Sequence, residues 1–268
     1  MSAVFAIAVN VFRESVRDKV LYNLVIFAIL LMGVSYLLGQ LTAGQDVKII
    51  KDLGLAATST FGLFIAVFIG IGLVSKEVER RSVYSLLAKP IHRYQLLLGK
   101  YAGLTLTLAV NVAIMAAALY AVLMYMAWGV GPDVQRSWDA PALDPALVKA
   151  IGLIFVELML ITAIALFFST FSTPILSAAF TVGLFIAGHF SADLRNFDQV
   201  LDSPTAVRVA RGLYWILPNL AQFDIKSQVV HGDRVPFGYL LVVSGYAVLY
   251  IAMLLSIAMY VFSRRDFK

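Results

Sequence analysis

The sequence predicts an all-α, polytopic membrane protein: six transmembrane helices preceded by an amphipathic helix in the membrane interface. Three observations carry that class. The 268-residue chain is 61 % hydrophobic and 14 % charged, with a mean hydropathy of +0.87, whereas soluble domains run near half apolar and a quarter charged. Six apolar runs approach or exceed the roughly 20 helical residues that cross a hydrocarbon core of about 30 Å. The net charge of +5 comes from lysines and arginines beside those runs rather than on one soluble face. It reads as a topology signal, not as a nucleic-acid footprint.

The first element covers residues 4–18. Phe5, Val9, Phe12 and Val16 recur at helical spacing on one face, with Asn10, Arg13, Glu14, Arg17 and Asp18 opposite. Such a helix lies in the inner interface, apolar face down, before turning into the first span, a reading favoured over an extended start of span one. The stretch MSAVFAIAVNVF has no basic n-region and no small-residue cleavage pattern follows Leu21–Leu38, so no cleavable signal peptide is expected.

The spans fall at 20–39, 54–75, 101–128, 150–171, 174–191 and 237–262. Spans four and five are joined by Ser169–Pro174 (STFSTP), where proline removes a backbone donor and favours two helices over one rod. The outer stretch 192–236 is the longest between spans. Its segment 207–217 mixes apolar residues, Tyr214 and Trp215 with Arg208 and Arg211, a composition suited to the membrane–water boundary. Residues 192–236 therefore read as a cap of short helices resting on the outer leaflet. The whole of 1–268 forms one transmembrane domain, without internal repeat or soluble domain.

Six spans put both termini on one side. With the amino terminus inside, the inner segments (1–19, 76–100, 172–173, 263–268) hold 12 Lys/Arg and 5 Asp/Glu, and the longer outer segments hold 9 and 10. That bias places both termini in the cytoplasm of a bacterial inner membrane.

Motifs for soluble chemistry are missing from the sequence. There is no G-x-x-x-x-G-K-[ST] phosphate loop, since Gly99-Lys100 is followed by Tyr101, and no H-E-x-x-H. His92, His189 and His231 are far apart in sequence, and cysteine is absent. No catalytic, metal or cofactor-binding residue is assigned, and no nucleic acid or cofactor is expected.

The segment 76–100, KEVERRSVYSLLAKPIHRYQLLLGK, is the positive finding. Residues 76–88 continue span two as a helix, with Glu77 and Arg81 spaced i,i+4 and Glu79 beside Arg80. Pro90 breaks that helix, and a second one restarts over 91–100. The product is a charged hairpin protruding inward, either a solvated positive loop or a docking element. Within the spans, Glu157 is the one deeply placed carboxylate, costing a few kcal/mol unless it is paired. It lies about two turns in from the outer end of span four, and a structural hydrogen bond from Thr162 or Asn111 is favoured there over contact with substrate. Span two carries small residues at every fourth position (Gly54, Thr58, Gly62, Ala66, Gly70), a stripe that lets helices approach closely. Packing within the chain is favoured over a seam between chains.

Glu79-Arg80, Leu86-Leu87, Lys89-Pro90, Arg93 and Leu98-Gly99-Lys100, lying in this order between spans two and three, resemble the E-R…LL…P-x-x-R…LGK pattern of ABC-2-type permeases of ATP-binding-cassette transporters. The inner amphipathic helix, six spans, the STFSTP turn and Leu217-Pro218-Asn219-Leu220 before span six extend the resemblance over nearly the whole chain. It is strongest to the branch that includes the permease of the nitrous-oxide-reductase maturation system. The resemblance implies that two permease chains, as a homo- or heterodimer, bind two cytoplasmic ATPase subunits, and that hydrolysis happens on those partners. It also implies that the hairpin is the coupling element. Glu77, Glu79, Arg80, Arg81 and Arg93 would then form charge pairs, and Tyr84, Leu86 and Leu87 would anchor the contact, with Pro90 at the break. The function expected is transport, as an exporter in contact with membrane lipids. The alternative is a subunit that passes ATPase motion to an extracytoplasmic partner without a through-pore.

Overall fold

A computed structural model describes residues 3–41, 46–79, 92–191, 208, 212 and 217–264, with the backbone alone for 73–79 and 93. The described chain contains helices and no strands. Seven principal helices follow in order: α1 (Ala3–Ser15), α2 (Lys19–Gln40), α3 (Asp46–Glu79), α4 (Arg93–Trp128), α5 (Ala146–Ser169), α6 (Pro174–His189) and α7 (Phe237–Arg264). Five of them, α2, α3, α4, α5 and α7, are long and apolar enough to cross a membrane, and α6 is a shorter apolar helix.

The centre of the bundle is the pair α3 and α5, which run in the same direction. Gly62 of α3 stands where a Cβ would meet the Leu158 side chain, and Gly70 where one would meet Ala165. Higher in α3, Gly54 faces Leu119 of α4, while Thr58 and Ala66 are fully buried. The small-residue stripe is therefore packing within one chain, and close backbone approach is what it provides. From Leu153 to Leu166 α5 presents buried or half-buried side chains all round, as a helix that is apolar on every face must. Around this pair α2 and α7 leave long apolar faces outward, including Ile26, Leu30 and Leu37 on one and Val242, Leu249 and Met253 on the other.

The helix ends show why the chain folds where it does. Asp18 caps α2 by accepting a hydrogen bond from Val20 N–H at 3.0 Å. Pro174 opens α6 at its first turn, where its missing N–H costs nothing. The STFSTP turn between α5 and α6 is pinned by a cluster in which Phe168 meets Phe171 and Phe180 at ring separations of 5.9 and 5.3 Å.

Several boundaries differ from the sequence expectation, and α5 covers 146–169 rather than 150–171. Residues 46–53, read as loop, form the first two turns of α3, because Lys48 and Lys51 find partners at the end of the bundle. Helix α6 ends at His189 rather than at 191. At 16 residues it rises about 24 Å, short of a full hydrocarbon core. Finally, the described part of the cap does not rest outside the protein. Leu220, Phe223, Ile225, Val229 and Val230 are buried, and the short helix Lys226–Val230 packs on α3 and α5. Irregular backbone at such a place is tolerated because protein, not lipid, surrounds it.

Candidate functional site

Helices α3 and α4 flank the segment that the sequence reads as a hairpin. Their 34 and 36 residues give lengths of about 51 and 54 Å, well beyond a core of about 30 Å. The excess lies at both ends: Asp46, Lys48 and Asp52 at one, and Lys76, Glu77 and Glu79 at the other. Glu77 and Glu79 sit on the final turn of α3 and Arg93 opens α4. Arg80, Arg81, Tyr84, Leu86, Leu87 and Pro90 lie outside the described residues. The α4 start is capped by Gln95, whose Oε1 accepts from His92 N–H at 3.2 Å.

Just beyond that start, α1 is seated on α4. A Cβ on Gly99 would fall 2.7 Å from Ile7 Cβ, and one on Gly103 would fall 2.6 Å from the Ala8 carbonyl oxygen. Val11 and Ser15 are buried along the same line. The contact stripe is thus Val4, Ile7, Ala8, Val11 and Ser15, while Phe5 and Val16, expected to define the apolar face, are exposed. The two stripes are offset by one residue, about 100°, so α1 is apolar over a much wider arc than one stripe. Gly99, noticed in sequence as part of Leu98-Gly99-Lys100, serves this contact, and Leu97 and Lys100 beside it are buried.

Within the bundle the structure pairs Glu157 with His189. Glu157 is 3 % exposed, and its Oε1 lies 3.4 Å from His189 Nε2. His189 Nδ1 lies 3.2 Å from the Phe185 carbonyl oxygen, which assigns the ring N–H to Nδ1 and turns Nε2 toward the carboxylate. Two acceptors then face each other unless the pair holds one added proton, as imidazolium with carboxylate or as neutral imidazole with carboxylic acid. The expected partners are engaged elsewhere. Thr162 Oγ1 donates to Leu158 O at 2.8 Å and Asn111 Nδ2 donates to Thr107 O at 2.7 Å, each within its own helix. Because α5 begins at Ala146, Glu157 is three turns in rather than two. Helix α6 ends level with it, and Leu217-Pro218-Asn219-Leu220 closes over that end: Leu220 N–H donates to Gly188 O and Asn219 N–H to Tyr246 Oη, both at 3.0 Å.

At the end opposite the hairpin, three lysines tie helices to connecting segments. Lys48 pairs with Asp139, Lys51 Nζ donates to Pro141 O at 2.8 Å, and Lys149 Nζ donates to Val235 O at 2.8 Å. Lys51 is fully buried. The hydrogen bond and charge of Lys48 hold the Asp139 carboxyl below its ordinary value of 3.8. Gly232, at φ +79, lets the chain turn where a Cβ would stand 3.1 Å from Asp139 O.

The protein-family model described as ABC-2 family transporter protein matches residues 5–267, an alignment that takes in α1, the hairpin and every long helix above. The chain belongs to the ABC-2 family. A search of curated proteins returned no match. As an ABC-2 permease the chain is a multi-pass membrane component of an ABC transporter, and membership implies partnership with an ATP-binding-cassette subunit. The segment 76–100 that the sequence singled out connects α3 and α4, the two longest helices among the described residues.

Sequence reasoning missed His189 as the partner of Glu157, the α1 seat on Gly103, and the three lysines. Only the first had a signal. A histidine at the end of an apolar run is as costly in lipid as the carboxylate, and two such groups on successive helices have reason to meet.

Proposed function

We propose that this permease is an inner-membrane exporter subunit with both termini in the cytoplasm, driven through the 76–100 hairpin by separate ATPase subunits. Two permease chains enclose the pathway. The observation that carries this reading is the length of α3 and α4. Both continue as unbroken helices past the thickness of a bilayer, so a push on the hairpin moves helices that are packed through the core. Helix α1, wedged backbone to backbone on α4, moves with them. In this reading Glu77, Glu79, Arg80, Arg81 and Arg93 form charge pairs with the ATPase, Tyr84, Leu86 and Leu87 fill its cleft, and Pro90 sets the bend.

The polar groups of the described core favour a path between two chains over one through a single chain. The hydroxyls of Thr58, Thr107, Thr162 and Thr181 each donate to a carbonyl four residues back in their own helix, and so offer little to a solute. The same economy fits the second reading, in which ATPase motion passes to an extracytoplasmic partner without a through-pore.

Reversing both charges, Glu79→Arg with Arg80→Glu, tests the coupling. Co-purification of the ATPase and its stimulated hydrolysis should fall by about tenfold, the equivalent of about 1.4 kcal/mol, while the thermal midpoint of the permease stays unchanged. Undiminished co-purification and hydrolysis would remove the hairpin from the coupling path. Efflux from proteoliposomes separates exporter from motion transmitter: hydrolysis without any flux favours the second.

A further inference from the structure

The elbow between α1 and α2 holds a cavity of about 280 Å³ with two unlike walls. Its polar wall is Glu14, Ser15 and Asp18. Its apolar wall is built from the start of α2, at Val20 and Leu21, and from α3, at Phe68 and Gly72. Phe68 is 55 % exposed and Val20 is likewise open, so the cavity opens sideways. Gly72 supplies part of the room, since a Cβ there would meet nothing within 4 Å. On the other side of Glu14 lies a second hollow of about 450 Å³, lined by Asn10, Arg13, Glu14 and Arg17. Those four residues follow the i, i+3, i+4, i+7 spacing of one helical stripe. Arg13, Glu14 and Arg17 form no ion pair with another described residue.

The two hollows share Glu14 and together present a balanced set of charges: two guanidiniums one turn apart, then two carboxylates, then an apolar wall open to the side. Paired guanidiniums suit a phosphate diester, which they bind through planar, charge-assisted hydrogen bonds. Carboxylates suit an ammonium that still carries N–H donors. The apolar wall suits acyl chains. A lipid of net negative charge would gain from the arginines what it loses to Glu14 and Asp18, and a quaternary ammonium has no N–H to give.

We propose that the α1–α2 elbow binds the headgroup of a bilayer phospholipid carrying a primary ammonium, with phosphate on Arg13 and Arg17, ammonium on Glu14, and chains along Phe68 and Val20. The site needs the elbow at a membrane surface and is independent of the direction of transport.

Native mass spectrometry of the full chain in detergent tests it, with phosphatidylethanolamine, phosphatidylcholine and phosphatidylglycerol of identical chains. Phosphatidylethanolamine should remain bound at several-fold lower concentration than the other two. Soluble phosphoethanolamine at equal concentration should not displace it, because it lacks the chains. Glu14→Gln, at an exposed position, should bring phosphatidylethanolamine and phosphatidylcholine to parity. Gly72→Leu, which fills the cavity, should weaken all retention there. Equal retention of the three lipids, preference for phosphatidylglycerol, displacement by the soluble headgroup, or unchanged preference in both variants would each overturn the site. If wild type shows no lipid preference and Glu14→Gln instead loses the ATPase in a pull-down, the surface is a protein contact and the lipid assignment fails.

Discussion

At the hairpin end of the bundle, α1 meets α4 through Gly99 and Gly103, with side-chain carbons and backbone in direct contact. At the opposite end, helices and connecting segments are held by the ammonium groups of Lys48, Lys51 and Lys149. The two ends solve different problems. The glycine seam lets one helix rest directly on another, backbone close to backbone. The lysines satisfy carbonyls of irregular segments, Pro141 and Val235, that would otherwise be left without partners near the membrane. One end joins helix to helix by close contact, and the other ties helices to connecting segments through charged side chains.

Substitutions can break the comparison, and the largest effect is expected at the seam. Gly103→Leu places a side chain against the Ala8 carbonyl, which cannot rotate away, and folded protein in detergent should be largely lost. Gly103→Ala should still cost about 1–3 kcal/mol of stability. Gly152→Ala, at an open site on α5, should be neutral or gain up to about 1 kcal/mol from helix propensity. A thermal scan in which the two alanine variants match would deny the seam its close packing.

Next comes the buried lysine. Lys51→Met leaves the Pro141 carbonyl without its donor and should cost about 1–3 kcal/mol in the same scan. Glu157 ranks third. Glu157→Gln can still donate to His189 Nε2 and should keep stability and transport, whereas Glu157→Leu should cost about 1 kcal/mol. In a cycle with His189→Phe the coupling should exceed about 0.5 kcal/mol, and strict additivity would dissolve the pair.

The smallest effect belongs to the exposed pair. Lys48→Met or Asp139→Asn should shift the thermal midpoint barely at all at pH 7, because solvent screens such contacts. The sign of its pH dependence is fixed. With the Asp139 carboxyl held below 3.8, its contribution is present above that value and lost as pH falls through the lower folded-state value. The difference between wild type and Asp139→Asn should therefore vanish in strong acid.

Much of this was legible in the sequence. Long apolar runs announce spans because lipid satisfies no backbone hydrogen bond, so the positions of α2, α4, α5 and α7 followed directly. The stripe from Gly54 to Gly70 announced close packing and delivered it. The α3 start was misread because Asp46, Lys48, Lys51 and Asp52 look like a loop until Asp139 and Pro141 are folded onto them. The α1 seat was hidden by the adjacent stripe of Phe5, Val9, Phe12 and Val16, since a wide apolar arc does not say which part meets protein. Glu157 was found but its partner was not: periodicity within α5 says nothing about which residue of α6 ends beside it.

The pairing of Glu157 with His189 bears on how the chain is made. A ribosome delivers Glu157 to the membrane 32 residues ahead of His189, and a lone carboxylate in a nascent helix carries an insertion penalty of about 2.5–3.5 kcal/mol. The tight turn at Ser169–Pro174 brings the imidazole alongside as soon as the next helix has emerged. Two polar groups that meet across successive helices at 3.4 Å offset part of the cost that each would carry alone in lipid.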